Sequence, residues 1–209
     1  MAGRRVALLS GGKDSFYAAM KYWPPDLGLF LIYKFPEPSP HIVNLGKTIE
    51  TLTLAGIPIV VARLPRGRER EETVAVLRRL GASEVIAGDV YIEDHLRYME
   101  GVASEAGATL REPLWGRDPE DLIYEIVESG VKARIIGVRS APEEALGMNI
   151  TSETVDRLVE LARKGGWDPL GERGEYHTIV VDSPMHSESL RYEDCGVVRE
   201  GRVSLIRLC

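Results

Sequence analysis

The chain has no glutamine, and its only asparagines are Asn44 and Asn149. Amides this scarce, beside 20 arginines against 6 lysines, point toward a thermophilic source. Cysteine is nearly absent too, with Cys195 and Cys209 the whole supply in 209 residues. Two cysteines make neither a four-ligand metal centre nor a disulfide framework. The pair could form one bridge, but the plain expectation is two reduced thiols in a cytoplasmic protein. A basic excess is also missing. Lys and Arg number 26 against 32 acids, a formal net charge of −6, which disfavours DNA or RNA as the main partner. The apolar run after the N-terminal arginines, residues 6–9, is too short for a signal-peptide core or a membrane span. No membrane partner is expected, and self-association is left open.

What is present is ordinary globular material, 44% hydrophobic and 28% charged, enough for one large domain or a domain with an appendage. Strand-like runs at 4–10, 28–33, 57–63 and 84–87 alternate with helical patterns. Residues 13–22 read as the first helix. Leu45, Ile49 and Leu52 mark the second, ended by Gly56. Residues 69–80 form a charged helix closed by Gly81. Asp94 is expected to cap a fourth, with Leu96, Met99 and Ala103 inward. This alternation predicts an α/β fold with a parallel sheet. The tail differs: an Asp118-Pro119 helix start, a helix to Ser129, a strand at 131–138, a helix at 152–164, and strands at 176–182 and 203–208. A boundary near Gly116 gives residues 1–116 to an α/β nucleotide domain and 117–209 to a smaller α+β domain.

Between the first strand and first helix lies Ser10-Gly11-Gly12-Lys13-Asp14-Ser15. Glycines let backbone N–H groups approach a phosphate, and the following helix presents its positive end. The loop is not a Walker A motif. That motif needs glycine where Ala7 stands and Ser or Thr where Asp14 stands.

This SGGKDS segment resembles the PP-loop of N-type ATP pyrophosphatases, which split ATP between its α- and β-phosphates to adenylate a substrate. Further segments are similar to one subfamily, diphthine–ammonia ligase. They are His41-Ile42-Val43-Asn44 with Ala55-Gly56-Ile57-Pro58, Gly88-Asp89-Val90 with His95-Leu96-Arg97-Tyr98, Pro113-Leu114-Trp115-Gly116, and Gly171-Glu172-Arg173-Gly174-Glu175-Tyr176-His177-Thr178 followed by Asp182-Ser183-Pro184. The resemblance spans about residues 4–186. His177 and the Val102-Ala103-Ser104 stretch depart from its usual pattern.

The resemblance implies ATP and Mg²⁺ as cofactors and elongation factor 2 and ammonium as partners. It also implies an AMP- and pyrophosphate-releasing amidation of diphthine. Ser10, Gly11, Gly12 and Ser15 would then hold phosphate oxygens, and Lys13 would neutralise developing charge. Asp14 would either orient Mg²⁺ or cap the helix. His41, Asn44 and Asp89 are assigned to the nucleotide. As bare sequence they read nearly as well as a loop histidine, a cap asparagine and a turn residue. Glu172 and Glu175 would attract ammonium and take its proton. The bland alternative for them is a solvated loop. His95 and Arg97 are candidates for the acceptor side, Tyr176 and His177 are simple strand formers, and Trp115 is a core or hinge aromatic.

A tRNA-modifying PP-loop enzyme is a rival reading, weakened by the acidic charge and by the lack of paired active cysteines. A nucleotide-binding module without turnover is another. Free ammonium is expected as nitrogen source, because a glutaminase domain takes roughly 100–200 further residues. The arginine-rich stretch 63–79 is interrupted by Glu69, Glu71 and Glu72 and reads as a solvated helix face.

Overall fold

The structure, a computed structural model, describes residues 3–34 and 37–209. The first half forms a parallel sheet of β1 (Arg4–Leu8), β2 (Leu27–Ile32), β3 (Ile59–Arg63), β4 (Ala82–Ile86) and β5 (Thr109–Arg111). Their order is β3-β2-β1-β4-β5. The connections carry α1 (Lys13–Met20), α2 (Pro40–Val43), α3 (Leu45–Leu54), α4 (Glu69–Leu80) and α5 (Glu93–Ala106). Order reverses on the two sides of β1, so the loops after β1 and β4 flank a crevice at the carboxyl edge.

Strand β1 shows why the sheet needs two covered faces. Val6 and Ala7 are both fully buried, yet period two sends them to opposite sides. Val6 packs with Leu29, Leu77, Val85 and Val102. Ala7 joins a larger core with Phe16, Leu122, Ile126, Ile135, Leu158 and Val180. That core runs into the second half. There α6 (Pro119–Glu128) and α7 (Val155–Gly165) accompany an antiparallel sheet of β6 (Lys132–Val138), β7 (Asn149–Ile150), β8 (Tyr176–Asp182), β9 (Asp194–Glu200) and β10 (Val203–Leu208).

Helix ends follow local chemistry. Asp118 caps α6, its carboxylate accepting from the Glu120 and Asp121 N–H groups at 2.9 and 3.1 Å. Gly81 closes α4 in the left-handed region. Helix α5 departs from expectation: it starts at Glu93 behind Ile92, and Asp94 sits inside the first turn. There its charge meets the helix dipole instead of capping a free N–H. The cysteines depart too. Cys195 and Cys209 form a disulfide and are not free thiols, because antiparallel β9 and β10 bring Asp194 opposite Leu208.

Candidate functional site

Leaving β1, the chain turns through Gly11 at φ 79°. A Cβ there would lie 2.8 Å from Thr48 Cγ2, so both conformation and space demand glycine. Gly12 N–H donates to Ser10 Oγ at 3.2 Å, and Ser10 and Ser15 Oγ lie 3.1 Å apart. The second half reaches this loop directly. Lys13 N–H donates to Thr178 Oγ1 at 3.1 Å, and Val180 N–H to Gly11 O at 2.8 Å. The loop after β4 comes equally near: a Cβ on Gly88 would stand 3.0 Å from Asp14 O.

These loops border a cavity of about 440 Å³. Ser10, Gly12, Lys13, Asp14 and Ser15 line one end, beside the α1 N-terminus. Leu9, Leu29, Phe30 and Ile42 supply an apolar wall, and Asp89, His95 and Glu172 an acidic one. His41, His177 and Thr178 complete the lining. Lys13 is a buried cation: its Nζ donates to Leu170 O at 2.6 Å and to Asp14 Oδ2 at 2.9 Å, and sits 4.9 Å from the Tyr176 ring centre. Asp14 Oδ1 is buried and has no hydrogen-bond partner. A hard carboxylate oxygen so placed beside a phosphate loop fits a Mg²⁺ ion.

The acidic wall is built from separate elements. Glu172 Oε1 accepts from Val90 N–H at 2.9 Å, and Glu112 Oε2 from Asp89 N–H at 3.1 Å. His95 Nδ1 lies 3.3 Å from Asp89 Oδ1. One ligand atom each of Asp89, His95 and Glu172 falls within 4.8 Å of the others. Crowded carboxyls out of water resist ionisation. Burial, then Asp14 and Asp89, push Glu172 up to about 7. Burial and the neighbouring Asp89 push Glu112 up to about 9.

Not every expected residue reaches the cavity. Asn44 is 2% exposed and binds only backbone: Nδ2 donates to Pro40 O and Ile206 O, and Oδ1 accepts from Leu208 N–H. It ties β10 to the α2–α3 junction and is not part of the cavity lining. Glu175 is likewise buried, and its carboxylate accepts from the Arg173 N–H at 3.0 Å and the Asp168 N–H at 3.4 Å. It shapes the loop that presents Glu172. Arg97 pairs with Glu93 on the exposed face of α5. The sequence does not reveal Glu112, Thr178 or the place of His177 on the cavity lining. The signal for Thr178 was its alternation with Tyr176 in a strand, which gives no hint of a partner 165 residues away.

The chain is similar over most of its length to proteins of one family. Family profiles described as diphthamide synthase N-terminal and C-terminal domains match residues 3–110 and 118–201. Curated relatives called diphthine–ammonia ligase include a zebrafish (Danio rerio) protein 35% identical, covering 90% of this chain and 85% of its own length. Those from mouse (Mus musculus) and human (Homo sapiens) are 27% and 25% identical, with 90% and 93% of this chain and 82% and 85% of their own lengths covered. A solved Methanocaldococcus jannaschii structure, titled a predicted subunit of tRNA methyltransferase, is similar at TM-score 0.45 and 17% identity over 88% of this chain and 98% of its own. That likeness is too slight to bear on fold or activity. On the strength of the two profiles and the full-length relatives, this chain belongs to the diphthine–ammonia ligase family and is an enzyme of the ligase class.

Proposed function

We propose that the protein amidates the diphthine carboxylate of elongation factor 2 with ATP and ammonium, releasing AMP and pyrophosphate in the cytoplasm. The observation that carries this reading is the single cavity in which the SGGKDS loop, at the positive end of α1, meets the Glu172 loop from the other half. The apolar wall of Leu29, Phe30 and Ile42 suits a flat base. The Gly12–Ser15 end suits the phosphates.

In the first step a diphthine carboxylate oxygen attacks the α-phosphorus and pyrophosphate leaves. The carboxylate has become a mixed anhydride with a good leaving group. Ser10, Gly12 and Ser15 orient the departing phosphates, and Lys13 offsets their charge. Asp14, whose Oδ1 has no hydrogen-bond partner, would hold Mg²⁺, and the ion would supply further neutralisation. In the second step ammonia attacks the acyl carbon and AMP leaves. Ammonium must first lose a proton, and the acidic wall attracts the cation while Glu172 accepts that proton. Asp89 and His95 stand on the same wall, 3.3 Å apart.

ATP–pyrophosphate exchange in the presence of diphthine-bearing elongation factor tests the first step by itself. Exchange that depends on the factor is expected. ATP binding with no exchange would leave only a nucleotide-binding module.

A further inference from the structure

His41 and His177 face the same end of the cavity from opposite halves of the chain. Their ring centres are 5.4 Å apart and edge to face. His41 Cε1 lies against the phosphate loop, 3.5 Å from where a Gly12 Cβ would stand. His41 Nδ1 is buried and has no hydrogen-bond partner. The neighbouring Ser10 main chain favours the protonated ring. A neutral ring with its hydrogen on Nε2 leaves a lone pair on this unpartnered Nδ1.

We propose that His41 and His177 form a second wall of the polyphosphate site, and that a proton enters this wall with the ligand. The inference rests on the nucleotide reading above and deepens it. A lone pair on Nδ1 repels a phosphate oxygen. The ring has two remedies. It can move its hydrogen to Nδ1 or gain a proton; the second adds a charged donor, the form that the Ser10 main chain favours.

In the free protein both rings are neutral. Burial, then the neighbouring His177, holds His41 down at about 3. Burial, then Lys13 and Arg139, holds His177 down at about 4. The charged surroundings are mixed. Lys13 on α1 and Arg139 after β6 oppose protonation, though each is paired, with Asp14 and Glu37 respectively. Tyr33 after β2 and Tyr176 on β8 also line the cavity, and Asp89, His95 and Glu172 stand on its acidic wall. A phosphate alters this balance because it brings full negative charge into contact. One charge at about 4 Å, at the effective dielectric of a protein, raises a ring's titration by roughly three pH units. That takes the more easily protonated ring to near neutrality.

The test is calorimetric titration of the intact protein with ATP, with pyrophosphate and with adenosine, without metal, at pH 6.5 and 8.0, in buffers of different ionisation enthalpy. The wild type should take up protons with ATP and pyrophosphate but not with adenosine. Part of its affinity should be lost between the two pH values, up to the limit of about tenfold per unit for one proton. His177→Asn and His41→Asn should each reduce uptake and flatten that dependence. A weakened but still proton-linked variant would show that its histidine only supports the fold and would overturn its part in the proposal. Tight ATP and pyrophosphate binding with no uptake by the wild type overturns the inference and leaves the nucleotide reading standing. Absence of any nucleotide or pyrophosphate binding overturns both.

Discussion

Asn44 and the two glutamates of the Glu172 loop show how side chains of similar polarity take unlike roles. Asn44 satisfies three backbone groups from the heart of the molecule, at 2.8 to 3.0 Å. Asn44→Ala strands the Leu208 N–H and takes a donor from the Ile206 and Pro40 carbonyls, the latter still accepting from the residue-44 N–H at 3.1 Å, so stability should fall by about 2–3 kcal/mol, read as a lower Tm. An unchanged Tm would show that the tie contributes nothing. Glu175→Ala should likewise lower Tm, since two loop N–H groups lose their acceptor. Glu172→Gln keeps an acceptor for Val90 and removes only the proton-accepting carboxylate. It should leave Tm and ATP–pyrophosphate exchange near normal while amide formation drops by about 10²-fold or more. Parallel loss of both activities would move Glu172 to the nucleotide step. Sequence alone could place Glu172 and Glu175 in one loop but could not separate them. Their difference is set by which carboxylate turns inward to cap its own loop, a matter of tertiary packing. The burial of Asn44 was hidden for the same reason: two of its three partners lie 162 and 164 residues away.

Among the elements, those with a strong internal pattern were legible. Helix α4, with acids in its first turn, arginines in its last and Gly81 behind it, and strands β8 and β10 have the bounds that their sequences suggest. Strands β5, β7 and β9 escaped. The first two span only three and two residues, and β9 is a mostly exposed polar edge with no apolar alternation to betray it. Missing β9 hid the Cys195–Cys209 pairing as well. The bond closes a loop of sequence separation 14, for which chain entropy gives about 3 kcal/mol. Cys195→Ser should therefore lower Tm, and reductant should do the same to the wild type alone. A second element-level contact joins α1 to α6. Glu125 Oε1 accepts from Tyr17 Oη and Lys21 Nζ, both at 2.7 Å, and Arg117 pairs with the same carboxylate. The bonds from Lys21 and Tyr17 hold Glu125 down to about 2. A depressed carboxylate stabilises the fold above its unfolded titration, near 4.5, and that contribution is lost as pH falls from there through about 2. Glu125→Gln should thus cost Tm at neutral pH, with the difference shrinking below pH ~4.5. A pH-independent difference would contradict the ion pair.

For the whole molecule, the two sheets meet around one cavity, and neither half supplies the site alone. Gly11 and Lys13 bond across to Val180, Thr178 and Leu170, and Glu172 bonds back to Val90. The parallel sheet was legible because every connection between its strands carries a helical pattern. The mutual embrace of the halves was not, because it depends on contacts more than 80 residues apart. Among the described residues no helix is long and apolar enough to cross a membrane. In the proposed reaction this joint cavity adenylates a carboxylate and transfers its acyl group to ammonia. The most direct measurement is one reaction with diphthine-bearing elongation factor 2, ATP, ¹⁵N-ammonium and unlabelled glutamine. The modified residue is read by mass spectrometry and the nucleotides by chromatography. The predicted result is ¹⁵N in the new amide with AMP and pyrophosphate formed in equal amounts. ADP as the main product, or an amide without the label, would contradict it.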